Sequence, residues 1–270
     1  MNVVGQLLEG HHYRRRKAQK SKATGSHPQR NEQFETIERL MTQYREAGHA
    51  ILSMDSKKKE WLGLFYRDGT LYTQDGAIEV YDHDWRSLAT GVAIPHGLYD
   101  VVRNEGYIQI GSSHDTSEFA CDSLRHWYHH QGCMHYPELK HLLLLCDGGG
   151  SNSSRHYIFK ADLQTLSDEL GLEIRVAHYP PYTSKYNPIE HRLFPHVSRS
   201  MQGVILTSLE QVQTLIEKTT TKTGLKVFAT ILDQVYETGR KVEEGFKETM
   251  EIVFDDVLPQ WNYVAKPHPS

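Results

Sequence analysis

His141-Leu142-Leu143-Leu144-Leu145-Cys146-Asp147-Gly148-Gly149-Gly150 is a short apolar run closed by an acid and three glycines. Leu142 to Cys146 has the length and unbroken hydrophobicity of a strand buried on both faces, the kind found in parallel sheets. Downstream, Phe159, Leu163, Leu166 and Leu170 recur at helical spacing. After Gly171, Glu173–His178 predicts another strand, stopped by Pro180 and Pro181. Asn187 and Pro188 start a further helix with Ile189, Leu193 and Val197 on one side. Pro195 should kink or shorten it, since proline inside a helix removes a backbone donor and clashes with the preceding turn. Thr207 with Glu210 predicts a capping box for a helix over 209–218, and from Lys241 the chain reads as a short packed extension with a loose terminus.

Upstream, Thr116 can cap a helix running to His130, preceded by a strand over 106–111. Residues 67–105, rich in Gly, Asp and His, read as an insertion. Two short apolar runs, Ala50–Met54 and Trp61–Tyr66, read as antiparallel neighbours. Phe34, Ile37, Leu40, Met41 and Tyr44 mark an amphipathic helix over 31–45, ended by Gly48. The order is three strands, then helices alternating with strands. It predicts an α/β fold, a mixed sheet flanked by helices with an insertion after the second strand, for which a ribonuclease H-like core is the most economical match. Three regions are expected: an arm over 1–30, a ribonuclease H-like core over 31–235 and an acidic, aromatic extension over 236–270.

The 270 residues are 38% hydrophobic and 24% charged, which excludes a wholly disordered chain. The longest dense apolar run is far short of the roughly 18 residues a spanning helix needs. Met1–Gly10 lacks the basic start of a signal peptide. Cys121, Cys133 and Cys146 form no disulfide framework, so a reducing cytoplasm is expected. The formal charge of −4 hides an asymmetry: residues 11–30 carry seven positive charges and no acid, leaving the other 250 residues at −11. A basic arm on an acidic body suits a polyanion, nucleic acid above all, while a solvated extension is the plain alternative.

Three acids stand at predicted element ends: Asp55 after the first strand, Asp147 after the apolar run and Glu190 at a helix start. If the two strands are neighbours, both aspartates share one sheet edge and the helix adds the third carboxylate. Three hard oxygen ligands suit Mg²⁺ or Mn²⁺ and leave room for water and phosphate oxygens. Each acid also has an ordinary reading: Asp147 as a turn former, Glu190 as a partner of the helix dipole, Asp55 as a surface partner of Lys57, Lys58 and Lys59. Candidate phosphate contacts are Arg14, Arg15, Arg16 and Lys17 in the arm, Lys57, Lys58 and Lys59 beside Asp55, Asn152 after the glycines, and Lys185, His191 and Arg192 around Glu190. The glycines make no ATP site, because no Gly-Lys-Ser/Thr follows.

The wording around these acids is more specific than their spacing. Ser112-Ser113-His114-Asp115-Thr116-Ser117-Glu118-Phe119-Ala120, Leu145-Cys146-Asp147-Gly148-Gly149-Gly150-Ser151-Asn152 and Thr183-Ser184-Lys185-Tyr186-Asn187-Pro188-Ile189-Glu190-His191-Arg192-Leu193-Phe194 resemble the ISAzo13-like bacterial insertion-sequence transposases, with their Rhodopirellula-type DDE domain. The resemblance runs from about Gly5 to Tyr263. It implies a ribonuclease H-like fold, and DNA cleavage and strand transfer at the element's ends. It also implies an acidic triad on Asp55, Asp147 and Glu190 that holds two divalent ions when DNA is bound, the first Asp shared between them. The implied partner is double-stranded DNA, both element ends and target, with self-association possible and no membrane; the implied location is cytoplasmic, on the nucleoid when DNA is bound. Met1–Leu8 resembles the last helix of an amino-terminal helix-turn-helix region, most of which is expected to be missing. A non-transposing DNA-binding or oligomerising remnant and a stand-alone nuclease of the same fold are the alternatives.

Overall fold

The computed structural model describes residues 3–14, 16, 25, 27–74 and 76–269. In chain order its elements are α1 (Val3–Gly10), α2 (Arg30–Glu46), β1 (Ala50–Ser56), β2 (Glu60–Leu62), β3 (Gly91–Asp100), β4 (Glu105–Gly111), α3 (Ser117–Trp127), α4 (Cys133–His135), β5 (His141–Cys146), α5 (Tyr157–Leu170), β6 (Glu173–His178), α6 (Pro188–Arg192), α7 (Phe194–Ser200), α8 (Leu209–Glu217), β7 (Lys226–Ile231), α9 (Phe246–Thr249), β8 (Ile252–Phe254) and β9 (Asn262–Ala265). The strands form one mixed sheet in the order β7-β4-β3-β1-β5-β6-β9-β8, with β2 pairing β3. β3 is antiparallel to β1 and β4, while β1, β5 and β6 run parallel. This is the expected helix-flanked mixed sheet.

Strand parity distributes the apolar runs between two cores. Leu142, Leu144 and Cys146 face Ala120, Leu124, Trp127, Phe159 and Leu163 of α3 and α5. Leu143 and Leu145, with Ile51, face Ile37 and Leu40 of α2. The α2 side of the sheet continues over β3 and β4, where Tyr99 and Ile108 pack against Ile189, Leu193, Phe194 and Val197. Two glycines let α6 and α7 lie close on the strands. A Cβ on Gly97 would come 2.7 Å from Phe194 and 2.8 Å from Ile189, and one on Gly106 would come 2.5 Å from Leu193. Pro195 acts as expected: the helix breaks at Leu193 and restarts with Pro195 in the first turn of α7.

Several expectations need correction. β1 and β2 are not a hairpin. Both pair with the ten-residue β3, β1 along 96–100 and β2 along 91–93. Pro95 sits at the gap between the two pairings, where its carbonyl accepts from Lys57 N–H at 2.9 Å. In a strand N–H and C=O of one residue point the same way, so the donor that proline lacks falls where the ladder is already interrupted. Residues 67–105 are therefore not an insertion throughout, because their last part is core strand β3 and only about 63–90 is an irregular excursion. The helix from Thr116 ends at Trp127 and passes through a wide turn over 128–132. The α8 cap is Ser208, one residue past the expected Thr207: its hydroxyl accepts from Gln211 N–H at 3.2 Å, while Gln211 Oε1 accepts from Thr207 N–H at 2.7 Å. The C-terminal stretch is more than a packed extension, since β9 pairs with β6 and every residue of β9 is buried. Strand β7, parallel to β4, was not expected.

Candidate active site

Asp55 is the penultimate residue of β1, and its cross-strand partner on β3 is Gly97. Met54 pairs with Cys146 on β5, so Asp55 and Asp147 each lie one step beyond a matched pair on adjacent parallel strands. Both are odd-numbered in strands whose odd positions face α2, α6 and α7, and so they share a face and an end. The third acid is brought by α6, whose start is tied to β1. Ser53 Oγ donates to Asn187 Oδ1 (2.5 Å) and accepts from Ile189 N–H (2.9 Å), and Asn187 Nδ2 donates to the Met54 carbonyl (3.2 Å). Asn187 and Ser53 are both fully buried. The sequence marks Asn187 only as a helix start; its role as a clamp depends on β1 passing beneath it.

The acids interact strongly. Burial first, then Asp147 and Glu190, push the Asp55 carboxyl up to about 8, against the pull of Ser56 N–H, which donates to Asp55 Oδ1 at 2.7 Å. Glu190 thus lies close enough to Asp55 to favour its neutral form. Burial and the charges of Glu190 and Asp115 also raise Asp147, despite the Gly149 N–H at 3.4 Å. Among the described residues no lysine, arginine or histidine forms an ion pair with any of the three. Nor, among those residues, are three His, Cys, Asp or Glu side chains spaced to hold an ion as they stand. A cluster of half-buried carboxylates that repel one another is nonetheless a donor set that suits a hard divalent cation.

The backing of Asp147 is built from the opposite end of the chain. His178 Nδ1–H donates to the Asp147 carbonyl (2.9 Å) and Nε2 accepts from Tyr263 OH (3.1 Å). Burial holds His178 down to about 4, so the ring is neutral, as this donor-and-acceptor pattern requires. Gln33 of α2 donates to the His178 carbonyl (2.9 Å) and exchanges amide hydrogen bonds with Asn262 of β9.

The candidate phosphate contacts separate into groups. Lys58, Lys59, Lys185, His191 and Arg192 are exposed, and so are Arg14 and Arg16 in the arm; Arg15 and Lys17 lie outside the described residues. Burial and Arg192 lower His191, which makes it a neutral hydrogen-bonding group near pH 7. Lys57 does not serve as expected: it is buried and ion-paired with Glu60, which also holds Arg67 at 2.6 Å. Asn152 is also corrected, being 2% exposed and so not displayed to a ligand surface. Beside Glu190 opens a cavity of about 630 Å³ whose lining includes Lys58, Tyr66, Arg67, Phe194 and Gln202. Two described residues of the arm make packing contacts: a Cβ on Gly25 would touch the Tyr182 ring at 2.8 Å, and His27 packs edge-on against Trp261 at 4.7 Å.

The chain is similar in fold to several solved transposase complexes. They include a Mos1 transposase paired-end complex with left transposon end (14% identity, TM-score 0.53, covering 80% of this chain and 61% of that one). A pre-cleavage Mos1 transpososome (13%, 0.52, 80% and 62%) and a mariner Mos1 paired-end complex with Mg (15%, 0.53, 80% and 61%) are equally similar. The chain thus spans about three fifths of the length of the solved chains it matches. No match is found among curated proteins. The family described as the Rhodopirellula transposase DDE domain matches residues 1–267. Matched over nearly its whole length, and with the fold of a transposase catalytic domain, the chain belongs to the Rhodopirellula transposase DDE domain family.

Proposed function

We propose that Asp55, Asp147 and Glu190 are the cation ligands and catalytic acids of a domain that cuts DNA at insertion-sequence ends and joins the freed ends to a target. The observation that carries this reading is the placement of Asp55 and Asp147 one step beyond the Met54–Cys146 pair, with α6 clamped to β1 so that Glu190 reaches Asp55. Support comes from the Mos1 complexes, which carry transposon-end DNA and, in two cases, Mg or Mn. Bound Mg²⁺ or Mn²⁺, two ions with DNA in place, would activate a water or 3′ hydroxyl and stabilise the leaving oxygen. Asp55 faces both other acids, which suits it to a shared position, with Asp147 and Glu190 each on one side. Lys58, Lys59, Lys185 and Arg192 steady the DNA phosphates, His191 adds a neutral donor, and Arg14 and Arg16 extend the contact along the arm. Double-stranded DNA is the partner, and pairing of two copies is the arrangement that joins two element ends.

The test is nicking of supercoiled plasmid in Mn²⁺, followed by an assay for joining of a precut end. Loss of both activities in Asp55→Ala, Asp147→Asn and Glu190→Gln is expected. Wild-type nicking by any one of them overturns that residue's role, and nicking without joining makes the chain a nuclease.

A further inference from the structure

The stretch from Ser112 to Thr116 joins β4 to α3 and approaches the acids from the α3 side of the sheet. It is fixed at both ends. Ser113 Oγ accepts from Tyr236 N–H (2.9 Å), and Thr116 caps α3 by accepting from Phe119 N–H (3.2 Å). The Tyr236 ring lies 4.9 Å from that of Phe119, and its hydroxyl donates to Asp122 Oδ2 at 2.9 Å. Between these anchors Asp115 Oδ1 accepts a 2.9 Å hydrogen bond from Ser56 Oγ. Ser56 ends β1, and its own N–H is the donor that holds Asp55 Oδ1 at 2.7 Å.

The surroundings leave Asp115 little else to do. Ser56, His96 and Gln109 form a row across β1, β3 and β4 on the α3 side. His96 is fully buried, neither ring nitrogen has a partner, and Phe119 packs 5.5 Å from it. Burial keeps the His96 imidazole neutral, outweighing the opposite pull of Asp115, so the two make no ion pair. Among the described residues no lysine or arginine is ion-paired with Asp115 either. Asp115 is half-buried and close enough to Asp147 to act on it, and the Ser56 hydroxyl is its side-chain hydrogen-bond partner.

We propose that Asp115 is a positioning residue for Asp55: by holding the Ser56 hydroxyl it fixes the last residue of β1, and with it the N–H that orients the Asp55 carboxylate toward a bound cation. This rests on the reading of Asp55 as a cation ligand. Groups that orient a ligand from behind typically change metal affinity by 10- to 100-fold when removed.

The experiment is calorimetric titration of the full chain with Mn²⁺ alone, without DNA, for wild type, Asp55→Ala, Ser56→Ala, Asp115→Ala, Asp115→Asn and the double variant Ser56→Ala/Asp115→Ala, with a thermal melt of each. Ser56→Ala and Asp115→Ala are each expected to weaken Mn²⁺ binding by about tenfold. The double variant should be no worse than the weaker single one, and Asp115→Asn, which keeps an oxygen acceptor, should recover most of the loss. Losses that multiply in the double variant, wild-type affinity in Asp115→Ala, or an Asn variant as weak as the Ala variant would overturn the proposal. If Asp115→Ala does not fold, wild-type affinity in Ser56→Ala overturns it. Unchanged Mn²⁺ binding in Asp55→Ala would instead remove the proposed cation site itself, and the positioning role with it.

Discussion

Two aspartates in open solvent would keep ordinary carboxylate pKa values; burial and neighbouring acids raise both Asp55 and Asp147. On the proposed assignment, Asp147→Asn abolishes nicking while removing one repulsive charge from the metal-free cluster. Its melting temperature is expected to equal or exceed that of the wild type without metal, by about 2–4 °C per kcal/mol of repulsion relieved. Thermal melts beside the plasmid assay check both halves. The raised Asp55 pKa has its own sign: between the unfolded value near 4 and the folded value of about 8, the native state holds a proton that the unfolded chain has lost. Metal-free stability should therefore fall as pH rises from 6.5 to 8, and Asp55→Asn should flatten that slope; a steeper slope in the variant would refute it. Below about 6.5 the buried, neutral His96 and His178 oppose this trend, because unfolding lets them charge. The three acids could be singled out in the sequence because each stands near an element boundary, Asp55 and Asp147 at strand ends and Glu190 in the first turn of a helix, a position that survives errors in the pairing around it. Lys57 was not separable from Lys58 and Lys59, since only the fold buries one lysine on Glu60, which also holds Arg67, and leaves the other two in water.

Elements were legible where hydrophobic patterning was unbroken. β5 reads directly from Leu142–Cys146, and α2 and α5 from their spacing. β3 was hidden because Pro95, His96 and Gly97 interrupt the run in its middle, yet each has a use there: a missing donor at a gap, a row beneath Ser56, and clearance for α6. Gly97 and Gly106 matter for the site because their lack of a side chain sets how closely the α6–α7 pair lies on the sheet. Gly106→Ala would drive its methyl into Leu193, one turn from Glu190. It is expected to cost about 1–3 kcal/mol in urea unfolding, the usual range for overpacking, and to reduce nicking beyond what the stability loss explains by shifting Glu190. A variant that loses stability but nicks at the wild-type rate would show that α6 adjusts independently of the strands.

At the scale of the molecule the charge is divided between a cationic arm and an acidic body. Binding to duplex DNA should then depend steeply on salt. Seven engaged charges give a log–log slope of about −6 as an upper limit. Removing residues 1–24 takes away six of the seven and should flatten the slope correspondingly, with little change between a terminal repeat and a scrambled duplex, because phosphate contacts carry no sequence information. Titrations at two salt concentrations decide this, and an unchanged slope would move the contact to Lys58, Lys59, Lys185 and Arg192. The C-terminal stretch was illegible as sheet because Asn262–Ala265 is too short to show a period, and only its pairing with β6 gives it meaning. That pairing has a consequence in time. β9 is synthesised after every other strand, and it brings Tyr263 to His178 and Asn262 to Gln33, the supports behind Asp147. A nascent chain that already carries all three acids thus lacks these supports until Asn262 and Tyr263 emerge, and the surroundings of Asp147 are completed only by the last strand of the described sheet.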